Sequence, residues 1–177
     1  MLIIFVISFL GETEWYEAAR DAQHKWSTPI FVLMAIMHQE SRFVADAQPD
    51  RDWFLGLIPL PRSSSAYGYA QAQDPVWGEY LNSAGSWGAD RDEFSDAIDF
   101  IGWYTDGSQK RLGISKWDAY SQYLAYHEGR GGFSRGSHKS KAWLIKVANK
   151  VKRRASRYNS QLKSCQEKLD DRVDGWF

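Results

Sequence analysis

The chain is short of most features that betray a function at once. Its single cysteine, Cys165, excludes an internal disulfide and says nothing of the compartment. Its 22 basic and 22 acidic residues cancel, so no global electrostatic attraction to nucleic acid is available. The apolar run at Leu2–Leu10 is too short for a membrane span, which needs about 20 residues. Its length suits the core of a signal peptide, yet no Lys or Arg precedes it and no small-x-small site follows. A terminal segment packed on the domain explains it equally well. The four histidines, at 24, 38, 127 and 138, have no metal-ligand spacing, so no metal is expected. No segment alternates like a sustained strand, and there are no repeats.

What is present is a globular composition, 44% hydrophobic and 25% charged, sufficient for one domain with a real core. Aromatic residues are abundant, with nine each of Trp, Tyr and Phe. Most must build the core. A surplus of Trp and Tyr also suits a sugar-binding groove, because these rings join an apolar face to a polar tip.

Helical periodicity runs through nearly the whole chain. Trp15, Ala18, Ala19, Ala22 and Trp26 fall on one stripe. Ser27-Thr28-Pro29 predicts a hydroxyl cap followed by proline in the first turn of the next helix. Asp74-Pro75 opens another by the same logic, and Phe94, Ala97, Ile98, Ile101 and Tyr104 mark a fourth. Ser115 to Asp118 predicts a capping box starting a fifth, with Trp117, Tyr120, Leu124 and His127 on its stripe. The Gly-rich GRGGFSRGS separates it from a long last helix bearing Leu144, Val147, Val151, Tyr158 and Leu162. Residues 44 to 67 dissolve into a loop, and a short β-hairpin could lie within residues 44–73. The expected fold is therefore mainly α, one domain of about six helices. Residues 1–12 form an apolar segment, 13–165 the domain and 166–177 a tail. Between His138 and Lys163 stand nine Lys or Arg and no acid, a solvated face or a dock for an anionic surface.

One residue breaks the pattern. In AIMHQESRF, Glu40 shares its helix face with Met37, Ile36 and Leu33. An ionised carboxylate there loses water with no evident partner, and the helix C-terminus also disfavours it. Both effects raise its pKa from a reference of about 4.3. An acid still protonated near neutral pH is what a general acid requires. On the residues alone a second reading stands: Glu40 ends the helix at the surface or pairs with Arg42 or Lys25. His38, on another helix face, reads as a surface or internally satisfied histidine.

The stretch PIFVLMAIMHQESRF resembles the catalytic helix of the soluble-lytic-transglycosylase-like and goose-type lysozyme group, with Glu40, Ser41 and Phe43 in the motif positions. AYGYAQAQ resembles the second family element through Gly68 and Gln71, and LAYHEGRGG the third through Ala125, Tyr126 and Gly129. The order is preserved across residues 29 to 132. Departures occur at Tyr69-Ala70, where bulkier apolar residues are usual, and at His127 and Glu128, where Asn and Ala are usual. The loop between Glu40 and Gly68, bearing Trp53 and Phe54, is longer than typical.

The resemblance implies a lysozyme-like domain whose cleft lies between the Glu40 helix, the Gly68–Gln71 segment and the Tyr126 helix. It implies peptidoglycan glycan strands as substrate, Glu40 as single general acid and base, and no cofactor. Ser41, Gly68, Tyr69, Gln71, Tyr126 and His127 would bind substrate, with Tyr126 hydrogen-bonding Glu40 or a sugar. A location in the periplasm or cell envelope follows from the substrate; a monomer is expected, with no nucleic-acid partner and with peripheral membrane or cell-wall association as an option. Two rivals share the fold. A goose-type hydrolase would need a second carboxylate, for which Asp46, Asp50, Asp52, Glu79 and Glu128 are the candidates. A catalytically silent module would bind glycan without cutting it. A third rival is a helical protein using its basic C-terminal helix on nucleic acid; all three rank below the transglycosylase reading.

Overall fold

The computed structural model describes residues 13–50 and 64–175, together with the backbone of residues 53–54 and 58–59. The apolar run at Leu2–Leu10 therefore lies outside the described residues. Among the described residues six α-helices carry the fold: α1 Thr13–Trp26, α2 Ile30–Ser41, α3 Asp74–Ser83, α4 Phe94–Leu112, α5 Ala119–Ser134 and α6 Ala142–Asp174. A 3-10 turn at Ser137–Ser140 joins the last two. Within the long loop, β1 (Trp53–Phe54) and β2 (Ile58–Pro59) pair antiparallel as a minimal hairpin.

Helix α2 is the hub. Every residue from Ile30 to Met37 is buried, and the helix touches α1, α4, α5 and α6. Its low polarity on all sides is the signature of a fully enclosed helix rather than an amphipathic one. Each enclosed Leu, Ile or Met contributes about 1.5–3 kcal/mol relative to an exposed one. The amphipathic helices pack around it. Ala97, Ile98 and Ile101 turn the α4 stripe inward, and Leu144, Ala148, Val151, Ala155, Tyr158 and Leu162 do the same for α6.

The start of α2 differs from the sequence expectation. No hydroxyl caps it: Thr28 is buried and its Oγ1 bonds the Thr105 hydroxyl at 2.8 Å, which ties α2 to α4. The free N–H of Ile30 instead donates to the Gln23 side-chain oxygen at 3.0 Å, so the cap comes from α1. Helix α5 also begins later than the Ser115 capping box predicts. Asp118 is its cap, accepting from the N–H groups of Tyr120 and Ser121 at 3.2 Å each. Trp117 consequently sits before the helix and is largely exposed. Residues 166–174, set apart in the sequence as a tail, continue α6. There Leu169 is buried, and Tyr16 of α1 donates to the Asp170 carboxylate at 2.6 Å. Asp99 accepts from Lys25 (2.9 Å), Trp26 Nε1 (2.7 Å) and the Tyr80 hydroxyl (2.7 Å), fastening α1, α3 and α4 together.

Candidate active site

The end of α2 is shaped by two successive left-handed residues, Arg42 (φ 55°) and Phe43 (φ 66°). Such conformations cost about 1–3 kcal/mol each in non-glycine residues and persist only where the surroundings enforce them. Here the Arg42 N–H caps His38 O at 3.0 Å and the Phe43 N–H donates to Ser41 Oγ at 3.1 Å. The Phe43 ring then packs against Trp15 and His38. Ser41, expected at the substrate, is thus buried in the reversal that halts the helix one residue after Glu40.

Glu40 is partly buried, and loss of water raises its pKa from 4.5 to about 7. A hydrogen bond from the Tyr123 hydroxyl opposes the rise without cancelling it. Lys25 is committed to Asp99, and no ion pair to Glu40 exists among the described residues. His38, half-buried, is pushed down to about 4 by desolvation and then by the positive Arg154 and Arg42, so it is neutral where Glu40 titrates.

Tyr123 is the residue the sequence reading missed. It is buried on α5, three positions before Tyr126 and so on the same helix face. Of the two phenols, Tyr123 is the one that hydrogen-bonds Glu40. Tyr126 donates to Ala70 O at 2.6 Å, linking α5 to the second motif. Burial, followed by the nearby Glu40 charge, raises the Tyr126 phenol well above its usual range.

The second motif is a backbone device. Gly68 has φ +79°, and a Cβ there would lie 2.0 Å from Arg91 O, so only glycine fits. The Gly68 N–H donates to Ala47 O at 3.0 Å, and Gln71 Nε2 donates to Ala47 O at 2.7 Å and Gly68 O at 2.9 Å. Tyr69 is a core residue: its ring lies edge-on to Trp15 and Phe94, at 5.8 and 5.7 Å.

The third motif interrupts α5 at Gly129 (φ 72°, ψ 154°). Beside the break lies a cleft of about 280 Å³ that brings together Gln71, Tyr126, His127 and Glu128, with Phe100 and Tyr104 behind them. Glu40 stands outside this lining. Among the described candidates for a second carboxylate, only Glu128 lines the cleft; Asp52 lies outside the described residues. Glu128 is saturated. Lys141 Nζ donates to both its oxygens at 2.7 and 3.0 Å, the Ser137 hydroxyl donates to one, and His127 Nδ1 lies 3.2 Å from the other. Lys141 first, then Ser137, hold its pKa down at about 2. Such a carboxylate is a fixed charge and a poor base near neutral pH. Among the described residues no cluster of three or more His, Cys, Asp or Glu is placed to hold a metal ion.

A family model described as "Transglycosylase SLT domain" matches residues 7–165 of the chain. Neither the curated proteins nor the solved structures hold a match to it.

Proposed function

Because the chain belongs to the transglycosylase SLT domain family, we propose that it cleaves the β-1,4 bond between N-acetylmuramic acid and N-acetylglucosamine in peptidoglycan, leaving 1,6-anhydromuramic ends. The observation that carries this reading is Glu40, poised at about pH 7, while Glu128, the one candidate second carboxylate lining the cleft among the described residues, is held ionised by Lys141. In the first step Glu40 gives its proton to the glycosidic oxygen as the C1–O bond breaks. The carboxylate so formed then takes the proton of the muramyl C6 hydroxyl, whose oxygen closes on C1. Glu40 thereby regains its proton, and no water is consumed.

One residue can perform both transfers only when its acid and base forms are comparably accessible at the working pH. Desolvation pushes Glu40 toward the acid form and Tyr123 restrains the shift, which sets that balance. Tyr123 orients the carboxyl from α5, while the Gly68–Gln71 turn and Tyr126 build the adjacent cleft wall. Hydrolysis with a second carboxylate finds no support in Glu128, whose lone pairs are occupied and whose proton affinity is too low. The substrate class supports a site of action at the cell envelope, which in a cell with two membranes is the periplasm.

Mass analysis of the muropeptides released from purified sacculi tests the proposal. Anhydro ends are expected, and Glu40→Gln should release none while still binding glycan strands. Reducing ends would instead mean hydrolysis, and no release by the wild type would leave only a glycan-binding module.

A further inference from the structure

Helix α6 has two unlike faces. Leu144, Ala148, Val151, Ala155, Tyr158 and Leu162 enter the core. On the opposite side Lys146, Lys150, Arg153 and Arg157 recur at i, i+4, i+7 and i+11, and all four are exposed. They form a straight cationic line about 17 Å long. None of them takes part in an ion pair among the described residues. The acidic start of α4, at Asp90–Asp99, belongs to an element that does not touch α6, so it cannot neutralise the line. Trp143 continues the row one turn earlier and leaves 54% of its surface to solvent, its ring edge-on to His127.

We propose that this face of α6 docks on an anionic phospholipid surface. The charge is complementary, and a single straight row of long, flexible cations matches a plane of headgroups. A half-exposed indole at the end of the row favours lipid over a nucleic-acid duplex, since Trp settles at the headgroup level. Docking so would set the cleft rim at His127 beside the membrane, because Trp143 touches both.

The test is cosedimentation of the full chain with phosphatidylcholine vesicles, with and without phosphatidylglycerol. Binding should require phosphatidylglycerol and weaken as salt is raised. The variant K150Q/R153Q should bind about thirtyfold more weakly, from roughly one unit of headgroup attraction lost per cation. Its thermal midpoint and its cleavage of soluble glycan should stay those of the wild type, since neither residue adjoins the cleft. Trp143→Ala should weaken binding further without changing the salt dependence. Equal binding to both vesicle types, undiminished binding by K150Q/R153Q, or no vesicle binding overturns the proposal. Tighter binding to duplex DNA than to the anionic vesicles overturns it in favour of nucleic acid. Vesicle binding is measured with no glycan present, so this inference and the proposed activity stand or fall separately.

Discussion

Replacing Glu40 by glutamine should stabilise the protein, and by an amount that depends on pH. In the folded chain desolvation raises the Glu40 pKa from 4.5 to about 7. The folded state therefore holds a proton that the unfolded state has already released between these values. Stability contributed by this group is full below pH 4.5 and falls as pH rises through about 7. At 1.36 kcal/mol per pKa unit, full ionisation costs the fold about 3 kcal/mol. Glutamine keeps the shape, still accepts from Tyr123 and never ionises. At pH 4 the two proteins should unfold together. At pH 8.5 the variant should be ahead by about 3 kcal/mol, or roughly 6–12 °C in midpoint for a chain of this size. Other titrating groups, Glu128 among them, are common to both proteins and cancel in the difference. Urea unfolding of each protein at the two pH values measures it. A gap that is the same at both, or a variant less stable at pH 8.5, would refute the claim that burial of the acid sets its proton affinity.

Tyr123→Phe removes the hydrogen bond that restrains Glu40, so the alkaline limb of glycan cleavage should move upward from about 7 with a modest loss of rate; the pH profile of muropeptide release checks it. Gly68→Ala meets both a left-handed backbone and Arg91 O, and should cost more than about 3 kcal/mol in denaturant unfolding. Glu128→Gln gives up charge-assisted bonds to Lys141. It should be less stable than the wild type by about 2 kcal/mol at pH 7. Because the Glu128 pKa is depressed to about 2, that deficit should shrink as pH falls below 4.5, as paired melts would show.

The helices were legible because most of them are amphipathic: the α4 stripe and, Val147 apart, the α6 stripe name residues that are buried. What escaped the sequence were partners supplied across the fold. Thr28 has the residue type and position of a cap, yet Thr105 takes its hydroxyl and Gln23 caps the helix instead. Tyr69 lies within a motif that resembles a cleft segment, but the turn at Gly68 delivers its ring to Trp15 and Phe94. Glu40 was conspicuous from its apolar neighbours, although α2 is enclosed on every side, so its face alone does not decide its surroundings. Those are set by α5, and nothing in residues 30–41 announces Tyr123.

The carbonyl of Ala47 receives both the Gly68 N–H and the Gln71 amide, and so closes a neck between residues 47 and 68. Past a closed neck, doubling the length of chain costs only about 0.6 kcal/mol. The Glu40 end of α2 is thereby insulated from changes of chain length between residues 48 and 64.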